Sequence, residues 1–225
     1  MKYPNAAKGV KQIFTAEILG LISSILLIIG FVLLIPAVLV AKNGAEGMEG
    51  AAIGATVVMG VFVLIAGVLS IIAFIMNIIG ISNASKDEEN FKSALLFLIL
   101  GLVAKVASIT IGDIVKDAAV ATGMLDSTSS LMNIFVTIFV ISGIVKLADR
   151  LNRGDISAKG TNVLKILIAV NVLALVASFI ASVMGGPVAS GVALALAIVS
   201  AVLTVVQYIM YLSLLSKAKK MLIES

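Results

Sequence analysis

The chain has 225 residues, of which 61% are hydrophobic and only 12% are charged. An average soluble domain is about half apolar and about a quarter charged. A mean hydropathy of +1.22 is far outside what the surface of a soluble protein tolerates and indicates that the excess apolar surface faces lipid. The chain has no Cys and no His, which excludes disulfides, thiolate chemistry and histidine-based metal or acid–base sites.

Six apolar runs follow one another along the chain, and each reaches the ~20 residues that a helix needs to cross a bilayer. The first run is longer than the ~7–15 apolar residues of a cleaved signal peptide, so we expect it to remain as an anchor. Gly185-Gly186-Pro187 is a turn signal within the last long run. The prediction is an all-α polytopic transmembrane bundle, forming a single membrane domain over 1–225, with helices near 13–41, 53–83, 91–112, 128–150, 163–184 and 188–216.

The positive charges predict the orientation of these helices. Six crossings place the N-terminus, the 82–92 turn, the 146–165 linker and the C-terminus on one side of the membrane. That side holds thirteen of the sixteen cations: Lys2, Lys8, Lys11, Lys86, Lys92, Lys146, Arg150, Arg153, Lys159, Lys165, Lys217, Lys219 and Lys220. Because Lys and Arg accumulate in cytoplasmic loops, we expect both termini to be cytoplasmic. The expected counter-charge is anionic lipid.

The stretch "ISNASKDEENFK" (81–92) is read as a short turn between the second and third helices. We expect Asp87, Glu88 and Glu89 in the first turn of the third helix, where negative charge complements the helix dipole. Ser85 is the expected cap. Consecutive carboxylates fan out around a helix, so the pattern does not favour a metal-binding or catalytic cluster.

The ends of the even-numbered helices repeat one pattern. They read "ISNASK" (81–86), "ISGIVK" (141–146) and "LSLLSK" (212–217), each with an aliphatic residue, Ser and a closing Lys. This pattern predicts three tandem two-helix hairpins in parallel orientation. The mitochondrial carriers also have three such repeats, but none of the three prolines here carries the Pro-x-[Asp/Glu]-x-x-[Lys/Arg] motif of that family.

With its "ASKDEENFK" turn (84–92) and its overall pattern of apolar helices and short basic turns, the chain resembles uncharacterised multi-pass membrane proteins of Gram-positive bacteria. The resemblance implies a location in the bacterial cytoplasmic membrane. It implies no activity.

Small and polar residues recur at helical spacing and predict the seams through which the helices associate. The expected seams are Gly67, Ser70, Ala73, Asn77 and Gly80 in the second helix; Asn171, Ala174, Ser178, Ala181 and Ser182 in the fifth; and Ser190, Ala193, Ala197, Ser200, Thr204, Gln207 and Tyr211 in the sixth. The functional alternative is a polar pathway lined by Asn77, Asn171, Thr204 and Gln207.

Ionisable residues at membrane depth are candidate functional groups by default. Lys105 lies about 17 Å beyond Ala94 along the third helix, past the midplane of a ~30 Å core. We expect Lys105 to extend its ammonium outward or to pair with Asp113, two turns further on. Glu17 is expected at the headgroup boundary. Residues 111–125 ("IGDIVKDAAVATGML") are expected to form an amphipathic outer segment, with Asp113, Lys116 and Asp117 on one face.

The sequence does not favour an enzyme. It has no Ser-His or Cys nucleophile pair, no phosphate-binding loop and no two Asp at the expected membrane depth, so no cofactor is expected. No basic groove with stacking aromatics is indicated, so no nucleic-acid partner is expected either. Two readings remain: a non-catalytic accessory, scaffold or immunity-type component that acts by lateral helix association with itself or another membrane protein, and a small-solute transporter or channel. The second would have its site between hairpins near Lys105. The candidate functional residues are Lys105, Asp113, Asn77, Asn171 and Gln207.

Overall fold

The computed structural model describes residues 1–42, 49–114, 119–183 and 186–225. This part of the chain contains six α-helices and no strand, which confirms the all-α prediction. The helices are α1 (Pro4–Lys42), α2 (Glu49–Ala84), α3 (Glu89–Ile114), α4 (Ala119–Arg150), α5 (Gly154–Val183) and α6 (Gly186–Glu224).

All six helices are long and apolar enough to span a membrane, with hydropathies of 1.9 to 3.0 over their most apolar stretches. At most 39% of the residues in any of these stretches are buried within the protein. The exposed apolar surface that remains is larger than soluble proteins carry, because extensive exposed apolar patches are rare on them. Lipid is therefore the solvent of these helices.

The helices extend further than the apolar runs that predicted them. α1 begins at Pro4 where the sequence predicted residue 13, and α6 ends at Glu224 where it predicted 216. Polar helix ends satisfy their backbone internally and lie beyond the ~30 Å hydrocarbon layer. The expected outer segment 111–125 divides between α3 and α4, and its residues 115–118, with Lys116 and Asp117, lie outside the described residues. The same applies to Gly185 of the predicted turn.

Residues Gln12–Gly80 form one compact unit, a hairpin of α1 and α2. The Ser23 hydroxyl donates to the Ala66 carbonyl (2.8 Å) and lies 2.7 Å from the Ser70 hydroxyl. Ala66, Ala73 and Gly80 are buried, whereas Gly67 is exposed. The predicted small-residue seam of this helix thus forms in part: Ala73 and Gly80 are buried and Ser70 contacts Ser23, but Ser70 is otherwise exposed and Asn77 is partly exposed. Ala66 takes the place of Gly67.

Met1–Lys11 and Ile81–Ser225 form the second compact unit. It consists mainly of the hairpins α3–α4 and α5–α6, which meet where α4 packs against α5. The Phe97 ring stacks on Phe135 and Phe139 across the first hairpin. A Cβ at Gly143 would lie 2.6 Å from the Phe91 ring, so α3 and α4 approach closely only because position 143 has no side chain.

The core of this second unit is concentrated at one end, where α3 and α5 begin and α4 and α6 end. Its largest fully buried side chains include Phe91, Ile141, Ile144, Leu147, Ile156, Leu214, Leu215 and Leu222. Residues of the N-terminal segment reach the same end, because the Lys2 amide donates to the Ser225 hydroxyl (3.4 Å). We call this region the basal end.

The 85–88 turn distributes its charges differently from the prediction. α3 begins at Glu89, so Asp87 and Glu88 precede it, and Ser85 does not cap it because its hydroxyl donates to the Ser82 carbonyl. Asp87 instead accepts the Ala6 amide (2.7 Å) and the Asn5 side-chain amide (3.0 Å). Its negative charge therefore complements the N-terminus of α1, not that of α3.

Glu88 is buried at the basal end, with its side chain only 1% exposed. One oxygen lies 2.7 Å from Arg150 Nη1 and the other 3.6 Å from Lys146 Nζ. Neither oxygen accepts a hydrogen bond of good geometry, so charge attraction to these two half-exposed cations holds the carboxylate.

The α4–α5 turn is closed by a left-handed residue. Asn152 has φ 54°, the Arg153 amide donates to the Ala148 carbonyl (2.8 Å) and the Asn152 amide donates to the Asp149 carbonyl (3.1 Å). These two bonds form a Schellman motif with Asn at the αL position. The motif ends α4 and allows α5 to begin at Gly154.

Two positions of the predicted hairpin repeat have similar exposures in all three copies. The fourth residue of each repeated hexapeptide, Ala84, Ile144 or Leu215, is fully buried. The closing residue, Lys86, Lys146 or Lys217, is at least partly exposed in each case. The first and third positions differ, because Leu212 and Asn83 are partly exposed where their counterparts are buried, so the threefold repeat stays a prediction.

The seams predicted for α5 and α6 form only in part. On α6, Ser200, Gln207 and Tyr211 are buried, but Ala197 and Thr204 are exposed. On α5 only two members of the predicted seam are described: Ala174 is exposed and Asn171 is partly exposed. The buried residues of this helix are Ile156, Gly160, Val163, Leu167, Val170 and Ala177. Here α5 packs mainly through branched aliphatic side chains. The side chains at 178, 181, 182, 190 and 193 lie outside the described set.

Candidate functional site

An ion pair joins α3 and α4. Lys105 Nζ lies 2.9 Å from Asp126 Oδ1, and the two side chains are 52% and 48% exposed. Lys105 does not pair with Asp113, which was one of the two arrangements expected from the sequence. Asp126 was missed because the fourth helix was predicted to begin at residue 128, whereas α4 begins at Ala119 and places Asp126 about two turns inside the helix.

The antiparallel packing of α3 and α4 sets this pairing. A Cβ at Gly101 would lie 3.0 Å from the Met132 Cβ, and the Ser108 hydroxyl donates to the Thr122 carbonyl (3.3 Å). Both contacts put Lys105 level with Asp126. Lys105 is sixteen residues beyond Glu89, or about 24 Å along α3. The ion pair therefore lies far from the basal end.

Asp126 begins a row of polar side chains along one face of α4. Asp126, Ser130, Asn133 and Thr137 follow at steps of four, three and four residues, which places them on a single helix face. Ser130 and Asn133 are exposed, and Asp126 and Thr137 are partly exposed. We call these four residues the α4 polar face.

The same face continues towards the basal end as buried core. The next residues in the four-and-three spacing are Val140, Ile144 and Leu147, all at most 1% exposed. A single face of α4 therefore changes along its length from polar and exposed to apolar and buried.

The hydrogen bonds of the α4 polar face are satisfied unequally. The Ser130 hydroxyl donates to the Asp126 carbonyl (2.9 Å) and the Thr137 hydroxyl to the Asn133 carbonyl (3.1 Å), so both are satisfied within the helix. The Asn133 side-chain amide has no hydrogen-bond partner among the described residues. An exposed amide without a partner is costly in hydrocarbon, which offers no hydrogen bonds.

The other candidate residues are dispersed. Asp113 is exposed near the end of α3. The Asn171 side chain donates to the Leu167 carbonyl within α5 (2.8 Å), and Gln207 is buried on α6. In the α1–α2 unit, the Asn77 side-chain oxygen is buried without a hydrogen-bond partner. Within the second unit, Lys105 is thus the one predicted candidate that lies at the α4 polar face.

The α4 polar face and the ion pair offer hydrogen bonds and balanced charge. In the part of the chain that the structure describes, no three Asp or Glu side chains converge as metal ligands would. Six apolar helices and a polar face on one of them define a multi-pass membrane protein. Comparison with protein families, curated proteins and solved structures gave no match to this chain.

Proposed function

We propose that the protein is a non-catalytic accessory, scaffold or immunity-type component of a membrane, which acts by associating laterally with another membrane protein or with itself. The observation that carries this proposal is the α4 polar face, which is exposed on a helix able to span a bilayer. No enzymatic activity, cofactor or nucleic-acid partner is part of the proposal.

The physical argument is the solvation of this face. Between helices in lipid there is little hydrophobic driving force, so association depends on close approach of small residues and on hydrogen bonds. Ser130 and Thr137 permit close approach, and Asn133 supplies an unused donor and acceptor. A helix from a partner would satisfy this surface better than acyl chains.

We further propose that the protein resides in a bacterial cytoplasmic membrane with both termini in the cytoplasm. The distribution of Lys and Arg supports this orientation. The contacts of Asn5 with Asp87 and of Lys2 with Ser225 agree with N- and C-terminal segments on the same side. A tag on either terminus should be inaccessible to protease in intact cells, and accessibility of either tag would refute the orientation.

Copurification from native membranes in mild detergent tests the association. We expect the wild-type chain to carry a stoichiometric companion, either a second copy or another polypeptide. Replacing Ser130, Asn133 and Thr137 together with Val should remove the companion without lowering abundance in the membrane. The matched control, Leu131→Val, changes an exposed apolar residue of the same helix. A wild-type chain that remains isolated under these conditions would refute the proposal.

A small-solute transporter or channel is the second candidate function, and the Lys105–Asp126 ion pair favours it. Charged groups at membrane depth often mark a solute or ion pathway. In this case Lys105→Met should abolish solute flux in reconstituted vesicles at normal abundance, whereas Lys92→Met, an exposed cation near the start of α3, should not. If neither substitution changes flux, the ion pair has no transport role.

A further inference from the structure

We infer that the partner of the α4 polar face is a second copy of this chain, and that two parallel α4 helices meet with their Asn133 side chains in contact. The inference rests on the proposed lateral association and names its partner. Three properties of the face support it: the chemistry of Asn133, the spacing of its neighbours and the balance of its charges.

Asn133 is self-complementary. Copies of one membrane protein share an orientation, so the two-fold axis of a dimer runs along the membrane normal and each α4 residue faces its counterpart at the same depth. The Asn side chain is both a donor and an acceptor, so two Asn133 amides satisfy each other across this axis. A single Asn in the seam between parallel helices also favours a pair and fixes its register.

The spacing of the α4 polar face suits such a pair. Steps of four, three and four residues are the heptad pattern of a two-helix seam. Ser130 and Thr137, on either side of Asn133, have small side chains whose hydroxyls already bond within α4. Asn133 lies fourteen residues after Ala119, or about 21 Å along a helix about 48 Å long. The contact would thus be central along α4.

The charges at the far end of the face are balanced. Each copy contributes one ammonium and one carboxylate, which are already 2.9 Å apart. Pairing two copies therefore brings no net charge to the interface. Because about half of each side chain is exposed, α3 and α4 do not enclose Lys105 and Asp126, and a second copy can reach them. Two ion pairs can then form a ring of alternating charge.

Disulfide crosslinking tests the inference directly, because the chain has no cysteine of its own. A single Asn133→Cys substitution should give a crosslinked homodimer when native membranes are oxidised, since facing residues of a close helix pair can reach disulfide geometry. Two differently tagged copies establish that both partners are this chain. The matched control is Leu131→Cys, an exposed residue about 200° away around α4, which should crosslink only at background level.

The results separate this inference from the proposed function. Single cysteines can also be introduced one at a time into a different polypeptide that copurifies with the chain. A disulfide between that polypeptide and the Asn133→Cys variant would refute a second copy as the partner but would support lateral association. Absence of a crosslink, together with rapid labelling of the thiol introduced at position 133 by a membrane-impermeant reagent, would indicate an aqueous pathway and overturn both. Equal crosslinking at positions 131 and 133 would indicate random collision and overturn the inference.

A second measurement does not depend on oxidation. Energy transfer between labelled wild-type chains in vesicles should report a dimer whose association constant falls about three- to twentyfold in the Asn133→Val variant, the factor expected for an interhelical hydrogen bond. Leu131→Val should leave the constant unchanged. An unchanged constant for Asn133→Val would refute the pairing of the Asn133 side chains.

Discussion

Arg150→Met should destabilise the protein strongly through Glu88. The Glu88 side chain is 1% exposed, and Arg150 at 2.7 Å is the nearer of its two cations. Removing one member of a buried ion pair leaves an uncompensated charge and typically costs about 3–5 kcal/mol. Lys146 remains at 3.6 Å and offsets part of this loss, so we expect about 3 kcal/mol, at the lower end of that range.

Removing the carboxylate by Glu88→Gln should cost less unfolding free energy than Arg150→Met, because the two cations can reach water. Arg150 and Lys146 have side chains that are 48% and 55% exposed. After Glu88→Gln both can be hydrated, and the expected loss is about 1 kcal/mol or less, as for exposed pairs. Combining Glu88→Gln with Arg150→Met removes both charges of the close pair, and the double variant should lie within about 1 kcal/mol of the wild type.

The free energy of unfolding, measured by SDS titration in mixed micelles, checks all three variants. Asp149 is an exposed neighbour of Arg150 on α4, and Asp149→Asn serves as a control for charge changes near the end of this helix. If Glu88→Gln costs as much as Arg150→Met, or if the double variant is no more stable than Arg150→Met alone, a buried carboxylate is not what Arg150 stabilises.

Three further predictions concern packing and capping. Gly143→Ala places a Cβ within 2.6 Å of the fully buried Phe91 ring and should cost about 1–3 kcal/mol of unfolding free energy; Phe91→Leu should restore part of it, and no rescue would argue against this clash. Ser23→Ala removes the hydrogen bonds of Ser23 to α2. It should lower the free energy of unfolding, measured by the same titration, by about 0.6 kcal/mol and by no more than about 1.7 kcal/mol. A larger loss would mean that other contacts change. Asp87→Ala removes the acceptor of the Ala6 amide at the start of α1. It should lower the free energy of unfolding by about 0.5–2 kcal/mol and speed proteolysis of the N-terminal segment. Unchanged proteolysis would show that Asp87 is not needed as a cap.

Helix number was predictable from the sequence because the bilayer sets a minimum length for an apolar helix. The helix ends were less predictable. The apolar pattern ends at the hydrocarbon boundary, whereas the helix continues for as long as its backbone hydrogen bonds are satisfied. Asp126 shows the consequence, since it lies before the predicted start of the fourth helix at residue 128 but belongs to α4.

Composition and spacing alone determined that this chain is an all-α membrane protein, because hydrocarbon accepts only apolar side chains and satisfied backbones. Tertiary structure decided which charges meet: Lys105 with Asp126, Glu88 with Arg150, and Asp87 with the start of α1. It also decided that α5 packs mainly through branched aliphatic residues and that the part of one α4 face from Asp126 to Thr137 is at least partly exposed. Such pairings depend on how separate helices are aligned, and residues far apart in the chain carry no local signal of that alignment.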